Sequence, residues 1–292
     1  MNRPAAFRYL LLSLLVLAPL ATFAALLALD SGFGAGGRGR DYVIRLQLPP
    51  AGEIGLPRVE GPLDASRPLI VIDPGHGGHD PGAGSGAARE KDITLALALA
   101  LRDALLRQGG LRVALTRVDD RFLLLPERAG IARRLKADLF ISIHADSAGN
   151  PGASGATVYT LSDRGSSEEA ARLAASENRA DAINGIAMGG QGDAVAAILV
   201  DLAQRETAER SQAFARLVLR EGQGRLRFRE RGIQSAAFVV LKSADLPSVL
   251  FEAGYISNAE DAAQLGSDEG RRTFADVTAS AIRVFFARLG PS

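Results

Sequence analysis

The sequence predicts an α/β fold, a mostly parallel mixed sheet of about six strands with helices on both faces and an inserted helical segment. Three observations predict it. From Pro68 onward, short apolar or β-branched runs alternate with stretches of helical period, the order of strands joined by crossover helices. The length of 292 residues, less an N-terminal apolar segment, suits one main core rather than two. One connection, from Gly165 to Ser235, is far longer than a simple crossover requires.

Residues 1–29 open with Arg3 and Arg8, continue through the apolar run Tyr9 to Leu29, and end in small residues, the order of an export signal. The run is also long enough to stay as a membrane anchor, while Pro19 and the alanine-rich end favour a cleaved signal peptide. Either way the chain is expected to be exported, to the periplasm in a bacterium with two membranes. Residues 30–67 read as a linker: a glycine-rich tether, one alternating piece in YVIRLQLP, then proline-punctuated chain.

Within 68–292, strands are expected at LIVID (Leu69–Asp73), RVALT (Arg112–Thr116), LFISIH (Leu139–His144), ATVYT (Ala156–Thr160), AFVVL (Ala237–Leu241) and SVLFE (Ser248–Glu252). Helices fit Lys91 to Gly110, with Gly109-Gly110 as its stop; Pro126 to Ala137, with proline in its first turn; and Asp268 to Gly290.

Composition narrows the chemistry. Net charge is +1 with no basic block, so nucleic acid is not an expected partner. With no cysteine, disulfides, thiol nucleophiles and thiolate metal sites are excluded, and any metal must be held by histidine and carboxylate. Two of the three histidines, His76 and His79, fall in the glycine-rich loop after LIVID, and the third, His144, ends LFISIH. In open α/β sheets ligands collect at the carboxyl ends of parallel strands. Glu90, at a helix start, and Glu252, at the end of SVLFE, are placed to join the histidines there. Two imidazoles and a carboxylate make a catalytic zinc set with one position left for water, and a second carboxylate can move the proton. The spacing is not a compact metal signature, and other readings stand beside it: a solvated loop histidine, a Glu90 that only answers a helix dipole, a Glu252 that caps a turn.

VIDPGHGGHDPGA, EKDITLALALAL, LTR, ERAGIARRLKADLFISIHAD and LKSADLPSVLFEAGYISNAED, in that order, resemble the successive motifs of the zinc-dependent N-acetylmuramoyl-L-alanine amidases, the cell-wall hydrolases of the AmiA/AmiB/AmiC type. The resemblance runs from about Pro68 to the end. It implies His76, Glu90 and His144 as Zn2+ ligands and Glu252 as the catalytic glutamate, with His79 at a variable loop position outside the metal shell. The implied reaction splits the amide between N-acetylmuramic acid and L-alanine in peptidoglycan, for cell separation and wall remodelling. Arg117 and Arg128 are cationic candidates for structural pairing or for acidic substrate groups; arginines at such edges more often form surface ion pairs.

The insertion, about 165–235, reads as two helices. SSEEAARLAASENRADAING opens with a capping box from Ser166 to Glu169, and Ala194 to Gly222 is longer, apolar at Val195, Ile198, Leu199 and Leu202. On the first, Ala170, Leu173 and Ala174 share a face that Glu177 continues. Septal amidases of the resembled family carry an inserted helix whose glutamate sits on the zinc, so Glu177 is expected to close the site in an autoinhibited enzyme; the other reading is a carboxylate at the edge of an alanine-rich face that reaches out to water. The resemblance further implies a periplasmic activator protein with a degenerate LytM-type domain; GIAMGGQGD, with Ile183, Ile186 and Met188, offers hinge and docking surface. Competing readings are a nucleotide-binding enzyme, for which no G-K-[ST] follows the glycines, a noncatalytic peptidoglycan-binding module of the same fold, and a zinc peptidase cutting within the stem peptide.

Overall fold

The computed structural model describes residues 17–18, 55–85, 88–147, 152–179, 194–243 and 245–290, and from 194 to 203 the backbone alone. The export or anchor segment (but for Leu17 and Ala18), the tether to residue 54, the docking surface at Ile183, Ile186 and Met188, and the side chains of Val195, Ile198, Leu199 and Leu202 lie outside the described residues. Among the described residues, no helix is long and apolar enough to cross a membrane.

Among the described residues from Gly55 onward, the strands and α-helices follow in the order β1 (Leu69–Pro74), β2 (Gly84–Ser85), β3 (Ala88–Arg89), α1 (Glu90–Gln108), β4 (Arg112–Leu115), α2 (Leu125–Arg134), β5 (Leu139–His144), β6 (Ala156–Leu161), α3 (Glu168–Glu177), α4 (Ala194–Gly222), β7 (Phe228–Ala236), β8 (Ser248–Glu252), α5 (Ala259–Gly266) and α6 (Asp268–Leu289). Strands β2 and β3 form a small antiparallel pair; the rest make one six-stranded sheet in the order β4-β1-β5-β8-β6-β7. All neighbours are parallel except β8 and β6. The sheet is thus the mostly parallel mixed one that the sequence predicts.

Alternate residues of the central strands feed two cores. Ile70, Ile72, Ile141, Ile143, Val249 and Phe251 face the helices α1, α4 and α6, while Leu69, Val71, Phe140 and Leu250 face α2, α3 and the turn at Val239–Leu241. Covering on both faces explains why β1, β5 and β8 are buried along their whole length and read as continuous apolar runs. Helix α1 buries Thr94, Leu97, Ala98, Leu101, Ala104 and Leu105, the three-and-four spacing of one helical face. It stops at Gly109, whose left-handed backbone (φ 69°) lets its amide donate back to the Leu105 carbonyl.

Two expectations are corrected. The sixth strand is not AFVVL but β7, one element earlier; Val239–Leu241 is a 3-10 turn. β7 is an edge strand wet on part of its surface, so FRERGIQSA is largely polar, whereas Val240 and Leu241 are buried in a 3-10 turn. Apolar content there reports burial, not conformation. The cap of α3 is Ser167, whose Oγ accepts from the Ala170 amide at 3.1 Å. Ser166 instead joins the sheet edge, its Oγ accepting from the Ser235 amide at 3.0 Å.

Within the long connection, Phe214, Ala215, Leu217 and Val218 of α4 lie in the main core, and β7 pairs with β6. Its later half therefore belongs to the layers of the fold. Helix α3 sits more lightly on the other face, burying Ala170, Leu173 and Ala174.

Candidate active site

The parallel strands β1, β5 and β8 end at one edge of the sheet, and their register sets the site. Asp73 lies opposite Ser142, and His144 opposite Glu252. His76 follows β1 by two residues in a left-handed conformation (φ 60°) that Gly77 and Gly78 continue, turning its ring back over the sheet edge. Gly75 is needed for proximity: a Cβ there would come within 2.6 Å of His144 Nε2. Gly82 (φ +65) is likewise pressed against Glu90, its Cβ position 2.6 Å from Oε2.

Glu90 is the first residue of α1 and fully buried, held by two backbone amides: Ala83 donates to Oε2 at 2.8 Å and Ala145 to Oε1 at 2.9 Å. His76 Nε2 stands 3.1 Å from Glu90 Oε2, and His144 Nδ1 stands 3.1 Å from Glu90 Oε1. Glu177, at the end of α3, brings Oε2 to 3.1 Å from His144 Nδ1 and 3.4 Å from His76 Nε2. A tetrahedral zinc site with nitrogen and oxygen bonds near 2.0–2.1 Å has ligand atoms about 3.3–3.4 Å apart, close to all four of these separations. His76 Nε2 is buried with no aligned hydrogen bond, as expected of a lone pair aimed at a shared point. His76, Glu90 and His144 are the group among the described residues able to hold a metal ion. The donor set fits zinc.

Electrostatics agree with a site that calls for positive charge. Although burial opposes it, Glu90, Glu177 and the Asp80 hydrogen bond push the His76 imidazole up to about 10. His144 is likewise raised against its burial by Glu177 and Glu90. Glu90, despite its own burial, is kept well below the usual carboxylate range by the two imidazoles. Glu252 differs: burial, offset in part by His144 and reinforced by Glu90, Asp146 and Glu177, pushes its carboxyl well above that range. Its Oε2 accepts from the Asp146 amide at 3.1 Å, while Oε1 is buried with no partner. Burial thus favours the protonated form of this carboxyl more than water would.

Of the residues that support the site, the sequence offers Arg117 and Arg128 for structural pairing, while Asp80, Thr94 and Lys91 carry no such expectation. Asp80 accepts from His76 Nδ1 at 2.8 Å, fixing the tautomer that leaves Nε2 free; an aspartate four residues after a loop histidine was the available signal. Arg117 and Arg128 are not surface ion pairs. Both are 2% exposed, which also removes them as contacts for acidic substrate groups. Arg117 donates to the carbonyls of Pro74, Gly75 and Lys91. Arg128 donates to Asp73 Oδ1 at 2.9 Å and to the carbonyls of Pro74, His76 and Leu123. Thr94 and Lys91, from the N-terminal end of α1, complete the frame by donating to the carbonyls of Gly75 and Gly78. His79 is exposed, its ring 4.2 Å from that of Phe122, and lies outside the centre. After β8, Asp261 of α5 accepts from the amides of Gly155 and Tyr255 and pins the loop beyond Glu252.

Residues 70–284 match the Amidase_3 family, N-acetylmuramoyl-L-alanine amidase. The chain is 40% identical over 223 residues to N-acetylmuramoyl-L-alanine amidase AmiA of Salmonella typhimurium, covering 76% of this chain and 77% of that protein. It is 39% identical over 220 residues to AmiC of Neisseria meningitidis serogroup B, covering 74% of this chain and 52% of that one. Among solved structures, the catalytic domain of CwlV, an N-acetylmuramoyl-L-alanine amidase from Bacillus (Paenibacillus) polymyxa, superposes with a TM-score of 0.55 at 28% identity, covering 75% of this chain and 98% of that one. AmiC2 of Nostoc punctiforme gives 0.54 at 29% identity, covering 76% and 98%. A match that begins at the second residue of β1 and ends in the last turns of α6 takes in the whole sheet and every side chain of the centre, and the chain belongs to the N-acetylmuramoyl-L-alanine amidase family.

Proposed function

We propose that this protein is a zinc-dependent peptidoglycan hydrolase that cleaves the amide between the lactyl group of N-acetylmuramic acid and L-alanine, and that the state described here is its closed, resting form. The carrying observation is the convergence of His76, Glu90, His144 and Glu252 at the ends of three parallel strands and one helix start, with Glu177 on the remaining side. Zinc held by His76 Nε2, Glu90 and His144 Nδ1 would polarise the scissile carbonyl and lower the pKa of a water to roughly 7. Glu252, with Oε1 buried and unpartnered, takes the proton from the attacking water and delivers it to the departing alanine nitrogen. Asp80 holds the His76 ring through Nδ1, and the amides of Ala83 and Ala145 hold the Glu90 carboxylate in position.

Glu177 fills the side on which water and substrate would have to arrive. Its helix is docked by two alanines and one leucine, by Asn178, which bonds the Ala237 carbonyl and the Val239 amide, and by the cap at Ser167. Burying one leucine is worth about 1.5–3 kcal/mol, so the closed state is within reach of a partner that prefers α3 displaced. We assign that role to a periplasmic activator with a degenerate LytM-type domain, and assign residues 1–29 to export or anchoring, with cell separation as the process served. Mass analysis of peptidoglycan digested by the zinc-loaded protein tests the reaction. Stem peptides with a free L-alanine amine support it, cleavage within the stem supports the peptidase reading, and intact glycopeptides support a noncatalytic module.

A further inference from the structure

Glu177 is one of two carboxylates by which α3 meets the rest of the molecule. Eight residues upstream, Glu169 engages Arg229 of β7 through both prongs, Nη1 donating to Oε1 at 2.6 Å and Nη2 to Oε2 at 3.0 Å. The guanidinium does not depend on that pair for its position. Nη1 also donates to the Tyr255 hydroxyl at 2.8 Å, and the guanidinium carbon lies 5.4 Å from the centre of the Tyr255 ring. Tyr255 follows Glu252 by three residues and is pinned through its amide to Asp261. Arg229 therefore belongs to the sheet and the loop after Glu252, whereas Glu169 belongs to the helix that covers the site. Both line a cleft of about 840 Å³ that reaches Asp146 and Ser147, just past His144.

We infer that Arg229 binds a free carboxylate of the stem peptide, and that Glu169 occupies its fork in the closed state as Glu177 occupies the metal position; this rests on the amidase reading above. A planar guanidinium matches any carboxylate in the same two-pronged way, so the fork that holds Glu169 is already shaped for a substrate acid. Glu169 is an easy occupant to replace, because its side chain is 51% exposed and such pairs stabilise little in water. Spacing fits as well. Eight residues of helix span about 12 Å, and an extended peptide covers about 3.5 Å per residue. A chain whose scissile carbonyl lay where Glu177 now sits would reach Arg229 about three residues downstream, in the part of the stem that carries carboxylates not consumed by its amide bonds. One helix thus blocks two recognition points together, and its removal opens both.

The test is equilibrium binding of two soluble probes, an N-acetylmuramoyl tripeptide with free carboxylates and the same molecule with those carboxylates amidated. The protein is the zinc-loaded full chain carrying E169A, E177A and E252Q, open at both positions and blocked for turnover. The free acid should bind at least tenfold tighter than the amide; adding R229Q should abolish that preference, and R229K should restore part of it. In the active E169A/E177A chain, R229Q should raise KM for the free acid and leave kcat nearly unchanged. Equal affinity for the two probes, no measurable affinity for either, or a preference that survives R229Q overturns the assignment. Preference without cleavage of the lactyl–alanine amide by E169A/E177A would remove the reaction and leave Arg229 in its role. Cleavage without preference would do the reverse.

Discussion

Arg128→Met isolates the buried frame beneath the metal position. The guanidinium donates to Asp73 Oδ1 at 2.9 Å and to the carbonyls of Pro74 and His76 at 2.8 Å each; Asp73 is fully buried and also accepts from the hydroxyls of Thr116 and Ser142. Methionine fills much of the volume but leaves Asp73 without its counter-charge, and breaking a buried pair in this way costs about 3–5 kcal/mol. Urea unfolding of the metal-free protein at pH 7 should show that loss at unchanged m-value. The pH dependence carries a sign. In the parent, Arg128, Thr116 and Ser142 outweigh burial and hold the Asp73 pKa below its ordinary value. Its contribution is therefore full above the ordinary carboxylate pKa of about 3.9 and lost as pH falls through the lower folded value. In R128M burial dominates and that pKa rises, so the deficit against the parent should be largest near neutral pH and shrink on acidification. Adding D73N should cost less in R128M than in the parent. A loss below about 1 kcal/mol that is flat with pH would refute the reasoning, since it would make the pair no stronger than a surface one.

Glu177→Ala should raise basal hydrolysis about 10- to 100-fold, the factor corresponding to the roughly 1.5–3 kcal/mol of one charged contact, measured as dye release from labelled peptidoglycan without any activator. Glu252→Gln should lower kcat by about 10²–10⁴-fold while leaving zinc affinity near that of the parent, with metal content and rate determined on the same sample. Zinc loading should release protons at pH 7, because both imidazoles are raised in the metal-free protein and must give up their protons to bind. Calorimetry in buffers of different ionisation enthalpy reads that number. In the metal-free chain the sign is opposite: the histidine–carboxylate pairs stabilise fully below the ordinary histidine pKa and are lost as pH rises through the raised values, so apo stability should fall with pH while zinc affinity climbs.

The sequence was most legible where a physical pattern is local. Strands covered on both faces must be apolar throughout, so β1, β5 and β8 stood out, and each ends in or just before a residue of the centre. Helical spacing put Glu177 on the face of Ala170, Leu173 and Ala174, but only the family resemblance pointed that carboxylate at the histidines; in the structure it lies 3.1 Å from His144 Nδ1. What sequence could not supply was tertiary. An edge strand written as FRERGIQSA has no apolar signature, and a buried 3-10 turn written as AFVVL borrows one. Arg117 and Arg128 look like surface cations until the chain wraps carbonyls of the β1 loop around them. The pairing of Arg229 with Glu169 joins residues 60 positions apart, and no spacing rule connects them.

Anomalous diffraction at the zinc edge, from crystals of the zinc-loaded full chain, tests the central claim most directly. One peak is expected within about 2.0–2.2 Å of His76 Nε2, His144 Nδ1, a Glu90 oxygen and a Glu177 oxygen, with Glu252 nearby but unbound. A peak elsewhere, or a zinc at this centre from which Glu177 has turned away, would contradict it.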